Sequence, residues 1–311
     1  MGATSVGPVR ADQSASARMP RLGLRVRRRR HPYLLEAFTW VYLAWSMVPI
    51  GIAVLFSFNA GKSLASWQGF SLRWYLTDPN QSVLHDPALH AAVVQTLRLG
   101  VLTTVIAVPL GVGLAIGIDR WRGRSAAGLS FIMVSTFVVT ELLLAVALSF
   151  VFSQLFTFVS FGTTAEVLGL VVWNMAWPGV IVRARLLTIG RVYEEAAADL
   201  GASRPSVIRR VLLPMLAPAI FASAVLVFAS VIDDFVLVNQ LSSSAGSQSM
   251  AVVIYSNVHG GLAGPALNAL ATLMLAFSLV LVVVGWAGYR LMTRGERTSG
   301  ANALSQIAGV G

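Results

Sequence analysis

Six long apolar runs, at 34–58, 92–118, 126–152, 167–182, 216–238 and 266–291, constrain this chain more than any motif in it. A helix crossing a bilayer needs about 20 predominantly apolar residues, and these runs approach or exceed that length. In hydrocarbon every backbone N–H and C=O must be bonded within the protein, so such runs become helices. Pro49, Pro109 and Pro178 fall inside three of them. They are compatible with membrane helices because neighbouring helices re-satisfy the freed groups. The expected architecture is an all-α integral membrane protein with six transmembrane helices. The composition agrees: 56% of residues are hydrophobic and 12% charged, far from the balance of a soluble domain. Gly113 and Gly117 form a GxxxG step that would let another helix approach closely.

The basic residues set the expected orientation. Eight Arg lie before residue 32, three in 119–125, six in 183–210 and three from Arg290 onward, against only Lys62, Arg73 and Arg98 on the other side. Positive charge is retained on the cytoplasmic face, which places both termini there together with the 183–210 loop. The +10 net charge is thereby explained by topology and anionic lipid. A nucleic-acid partner is disfavoured, because the basic residues are split among short segments and Arg27–Arg30 directly precede a membrane run. The chain divides into a basic arm over 1–33 without apolar periodicity, a first span over 34–58, an extracytoplasmic segment over 59–91, a five-helix core over 92–291 and a tail over 292–311. The arm reads as disordered, and its junction with the first run resembles a signal anchor more than a cleaved leader. The polar tail after Arg294 is likewise expected to carry no fold of its own.

Catalytic chemistry finds little support. Gly61-Lys62-Ser63 ends like a phosphate-binding loop, but Phe56 stands where the first glycine is required. His85 and His90 are the only neighbouring pair among His31, His85, His90 and His259, and an isolated pair makes a poor metal site. The absence of cysteine excludes disulfides, thiolate metal sites and a cysteine nucleophile. The reading is a protein that is not an enzyme, binds no metal and carries no cofactor.

The loop over 191–214 is different in kind. Val192, Ala196 and Leu200 recur at helical spacing, giving a short helix with an apolar side and small alanines. Gly201 suits the left-handed residue that ends a helix, Ser203 is placed to cap the next, and Pro205 lies in its first turn. Helix, tight turn, helix follows, with Arg209 and Arg210 giving the second piece a basic face and Pro214 and Pro218 at membrane re-entry. The order Glu195-Ala196-Ala197, Gly201, then Val211, Leu213 and Pro214 resembles the EAA loop of ATP-binding-cassette importer permeases, with Val211 where that family usually has isoleucine. The resemblance implies that these seven residues form the surface on which a separate ATPase docks.

A finer resemblance runs from about residue 50 to 290, toward the spermidine/putrescine branch of those permeases. It rests on Ser57-Phe58-Asn59, Trp67-Gln68-Gly69-Phe70, Arg73-Trp74-Tyr75, Asp233-Asp234-Phe235-Val236, Ile254-Tyr255-Ser256 and Asn268-Ala269-Leu270. Two departures lie near the expected pathway: Thr140 stands where that branch often has proline, and Asn239-Gln240 follow the acidic pair where aromatic or small residues are usual. The resemblance implies a type I importer permease in the bacterial cytoplasmic membrane. Its implied partners are a sister permease, two ATPase copies that bind ATP and Mg, and an extracytoplasmic solute-binding protein.

Independently, a carboxylate in a membrane helix costs about 2.5–3.5 kcal/mol on insertion scales and normally faces the bundle interior, a partner or water. Adjacent residues on a helix point about 100° apart. Asp233 and Asp234 should therefore split, one lining a pathway and the other bonding a neighbouring helix. With Glu141, Asn239 and Tyr255 they are the candidate pathway residues for a polyamine. Other solutes of the same importer class, such as ferric iron, thiamine or an organic cation, fit the residues too. From a different class, intramembrane acids also suit an ion-coupled secondary transporter.

Overall fold

The structure is a computed structural model that describes Gly2 and residues 33–63, 66–79, 81–120, 124–243, 245–261 and 264–308. The disorder expected of the basic arm falls on residues outside that set, apart from Gly2 and Tyr33. Two compact units are distinguished, Met1–Val48 and Pro49–Gly311. In the first, α1 (Tyr33–Ser57) begins at Tyr33 and presents Phe38, Trp40, Tyr42 and Trp45 on its surface. Thr39 and Ser46 turn their hydroxyls back onto the carbonyls of Leu35 and Leu43, so the helix exposes few unbonded polar groups, as lipid demands.

The second unit is a helix bundle: α2 (Pro87–Arg120), α3 (Arg124–Val138), α4 (Glu141–Gln154), α5 (Thr163–Asn174), α6 (Ala176–Ile189), α7 (Val192–Asp199), α8 (Arg204–Val207), α9 (Leu213–Asp233), α10 (Val236–Leu241), α11 (Met250–His259) and α12 (Pro265–Ala308). Among the described residues, five helical stretches are long and apolar enough to cross a membrane, or six when the bent pair α3–α4 counts as one span. This is the all-helical architecture expected. α2 runs through the centre and packs on α5, α6 and α9, while α9 also meets α12. Their contact buries Leu99, Ala107, Leu170, Val182, Leu216 and Val227. Large apolar side chains such as Val105, Phe131, Phe150, Leu279 and Trp286 remain on the outside. That is the inverse of a soluble surface and the exterior a bilayer solvates.

Three spans differ from the sequence reading. The third is not one continuous helix over 126–152: it bends by 110° between residues 138 and 141, and Thr140 is extended at φ −70, ψ 135. The break occurs without a proline, at Val138-Val139-Thr140. The fourth is longer than 167–182, since α5 and α6 join through a helical Met175 into Thr163–Ile189. The fifth starts earlier and ends sooner than 216–238. It runs from Arg204 to Asp233, and Asp234 leaves the helix at φ −69, ψ 116. After Arg294 the backbone stays helical to Ala308, where a foldless tail was expected; extending a nucleated helix avoids the cost of nucleation.

Close helix approach occurs at a glycine other than those expected. A Cβ at Gly113 or Gly117 would meet no atom within 4 Å, whereas one at Gly111 would lie 2.6 Å from the Met175 carbonyl oxygen and 2.9 Å from Pro178 Cβ. The α2–α6 crossing is thus set by Gly111 against Gly179. Gly111→Leu is expected to destabilise the fold by about 3 kcal/mol, the upper range for overpacking a closed core. Thermal unfolding of the detergent-solubilised chain would register it, with Gly113→Leu close to wild type.

The segment between α1 and α2 is tied together by Asn59, which is fully buried. Its Nδ2 donates to the carbonyls of Ser63 and Ser66 at 3.0 and 2.9 Å. Its Oδ1 accepts from the Gly61 and Gln68 amides at 3.3 and 2.8 Å, and its carbonyl accepts from Trp74 Nε1 at 2.6 Å. Arg73 bonds Ala60 O and Asp78 and lies over the Trp74 ring. Trp74 in turn packs with Val83, Leu89, Ile232, Met250 and Leu270. The three motifs over 57–59, 67–70 and 73–75 are therefore parts of one interlocked cap.

Candidate functional site

At one end of the bundle, α7 carries Glu194 and Glu195 in its first turn, where they complement the helix dipole. It ends as the sequence reading required. Gly201 adopts φ +80, its N–H bonds Ala198 O at 2.8 Å, and the Ala202 N–H bonds Ala197 O at 3.1 Å. This paired closure satisfies the last carbonyls and needs a left-handed residue. Pro205 sits in the first turn of α8. Ser203 occupies the cap position but its side chain makes no cap bond, contrary to expectation. α8 passes directly into α9 through a wide turn over Ile208–Leu212, in which Leu213 N reaches Ile208 O. Pro214 and Pro218 lack the N–H groups a regular helix would use at this join.

The seven proposed docking residues separate into two sets. Glu195 and Ala196 are exposed on α7, Ala197 is half-buried, and Gly201 forms the exposed turn. Val192 and Leu200 project from the same region, Leu200 at 90% exposure. Val211 and Leu213 are half-buried, Leu213 against the main core, and Pro214 is exposed at the start of α9. The first set offers a surface on α7 and its turn, while Leu213 seats the start of α9 against the main core.

Sequence reasoning missed the groups beneath α7. Arg120, at the end of α2, grips Glu194 with two nitrogens, the Nε–Oε2 distance being 2.9 Å. It also pairs with the neighbouring Asp119, whose carbonyl accepts from Arg191 Nη2 at 2.9 Å. A cavity of about 480 Å³ opens beside this cluster, reaching Glu195, Ala198 and Arg204. No spacing rule joins residues 120 and 194, so only the fold reveals them.

The pathway candidates lie elsewhere and divide as well. Asp234 is buried; its Oδ1 accepts from Leu237 N at 3.1 Å, and the carboxyl group of Glu141, at the bend of the third span, lies close to it. Asp233 is exposed and lines a cavity of about 600 Å³ with Phe235, Ile254, Tyr255, His259 and Met274. Tyr255 stacks obliquely on Phe235 and His259, with ring centroids 4.3 and 3.9 Å apart. The acids do split, but at a corner between two helices rather than around one continuous helix. Asp's short carboxylate favours that break by bonding a backbone N–H three residues on. Asn239 is exposed on α10 and is absent from that cavity; its neighbour Gln240 bonds Ser149 at 3.3 Å. Phe235 and His259 complete the cavity without having been singled out as site residues.

Residues 107–297 match the family model described as binding-protein-dependent transport system inner membrane component. The chain is similar to the putrescine transport system permease protein PotI of Escherichia coli K12, at 30% identity over 85% of this chain and 90% of that protein. It is equally similar to the spermidine/putrescine transport system permease protein PotC of Haemophilus influenzae, at 30% identity over 84% of this chain and 97% of that one. Among solved structures, a bacterial ABC transporter importing the acidic polysaccharide alginate has a TM-score of 0.65 at 16% identity, covering 84% of this chain and 96% of that chain. The inward-facing MetNI methionine ABC transporter has a TM-score of 0.54 at 19% identity, covering 66% and 94%.

Proposed function

Because this chain belongs to the family of inner membrane components of binding-protein-dependent transport systems, we propose that it is a permease subunit importing a polyamine, putrescine or spermidine, by ATP-driven alternating access. Membership makes it a multi-pass transport subunit rather than an enzyme, and removes the ion-coupled secondary transporter from consideration. The observation that carries the substrate class is 30% identity to putrescine and spermidine permeases across 85% of the chain. The cavity beside Asp233 supports it. A carboxylate lining the same cavity as Phe235 and Tyr255 offers an alkylammonium a countercharge beside apolar, aromatic walls, whereas an anionic solute would be repelled.

In this reading the membrane is the bacterial cytoplasmic membrane, and the termini and α7 are cytoplasmic, in keeping with the distribution of arginine. Partner ATPases hold ATP and Mg, and one of them seats on Glu195, Ala196, Ala197 and the Gly201 turn. A sister permease completes the pathway, and a solute-binding protein delivers the polyamine. Closing of the ATPases drags α7 and moves the spans, so that the cavity changes the side to which it opens. Asp234 holds the corner between α9 and α10 beside Glu141 of the third span, while Asp233 and Tyr255 meet the solute.

Reconstitution with its sister permease, ATPase and binding protein tests this. Labelled putrescine should enter proteoliposomes only with ATP, and spermidine should compete. Failure of every polyamine to compete would remove the substrate assignment. Uptake driven by an ion gradient without ATP would remove the mechanism.

A further inference from the structure

We infer that Arg120 and Glu194 form the joint through which movement of the docking helix reaches the central span, a role that rests on the ATP-driven reading above. Three features of the geometry carry it. Glu194 immediately precedes the exposed Glu195-Ala196 surface of α7, yet it is turned inward and retains only 19% of its side-chain exposure. Arg120, at 23%, ends α2 and holds both Glu194 oxygens with Nε and Nη2. A planar guanidinium fork clamping a carboxylate fixes direction as well as distance, which a single contact does not. The connection is doubled, because Asp119 pairs with Arg120 through its side chain and receives Arg191, the residue before α7, on its carbonyl.

What lies on either side of the clamp makes it a transmission rather than an anchor. α7 has no buried residue, so little of its position relative to the bundle is fixed by packing. α2 contacts α5, α6, α9 and α11, and its close crossing at Gly111 leaves α6 no slack. A pull on α7 therefore acts on α2 through the Arg120–Glu194 fork, and α2 redistributes it to the spans that bound the Asp233 cavity. Arg120 and Glu194 are positioning residues; neither touches the solute.

The test uses the complete permease–ATPase–binding-protein assembly in proteoliposomes. Arg120→Gln and Glu194→Gln should leave the ATPase copurifying at wild-type stoichiometry while putrescine uptake per ATP hydrolysed falls at least fivefold. The exchange Arg120→Glu with Glu194→Arg should return the ratio to within twofold of wild type. A second readout needs no solute. The chain has no cysteine, so Gly113→Cys on an open face of α2 gives it a single thiol, whose labelling is read on this subunit after the assembly is separated. Its thiol labelling should change with ATP in the otherwise wild-type assembly and stay fixed when Arg120→Gln is added. Uptake per ATP within twofold of wild type in both single variants, an exchange no better than the singles, or ATPase lost in step with uptake would each overturn the joint. If the wild-type assembly moves no polyamine, the substrate reading fails, and the ATP-dependent labelling still decides the joint.

Discussion

Gly201→Val is expected to reduce ATP-driven uptake at least tenfold and to release the ATPase from the purified complex. At φ +80 a residue with a Cβ costs about 1–2 kcal/mol, and a β-branched one costs more because its side chain crowds the same carbonyl. Space is not the obstacle, since a Cβ here would meet nothing within 4 Å. The penalty is purely conformational. It would open the paired bonds from Gly201 and Ala202 to Ala198 and Ala197, and the C-terminal end of α7 would fray. An interface losing a few kcal/mol of preorganisation weakens by a factor of ten for each 1.4 kcal/mol. Gly201→Asn, which tolerates the left-handed region, should retain most activity. Normal ATPase copurification and uptake in the valine variant would show that α7 is not the docking surface.

Asp233→Asn should raise the half-saturating polyamine concentration of the reconstituted transporter about tenfold while leaving ATPase copurification unchanged. The substitution keeps the volume and removes the charge. An ion pair at about 4 Å is worth about 4 kcal/mol at the effective dielectric of a protein surface, and water in the cavity retains part of that, so a loss of about 1.4 kcal/mol, or tenfold, is the expected remainder. Asp234→Asn should behave differently. That carboxyl is buried and accepts the Leu237 N–H, so its replacement acts on the α9–α10 corner and lowers the yield of folded complex. Equal half-saturation in wild type and Asp233→Asn would move the solute path away from this cavity.

Much of the bundle could be read before any coordinates, because membrane spans are written in composition over long windows. Direction within a span is not. The apolar run over 126–152 remains apolar through its 110° bend, and residue type does not mark the place: Val138-Val139-Thr140 breaks, while the longer β-branched run Thr103-Thr104-Val105-Ile106 stays helical in α2. The helical break at Asp234 is similar: a polar pair was visible, but the competition between its side chain and the helix was settled only by the Leu237 contact. α11 is apolar but only ten residues long, so it falls below any spanning window. The Gly201 turn was legible because its chemistry is local. Arg120 and Glu194 were not, since a pair 74 positions apart is decided by the packing of the chain between them. The GxxxG step misled for a related reason: spacing shows that glycines share a helix face, not which neighbour that face meets.

The cap around Asn59 has an energetic consequence for whatever arrives at that end of the molecule. Its turns are held by a single buried amide that satisfies four backbone groups at once, so their shape is fixed when the chain folds and not when a visitor lands. Association with such a surface loses translational and rotational freedom but little loop entropy. The cap is thus rigid before any contact is made, and rigidity of that kind favours affinity over adjustment of shape.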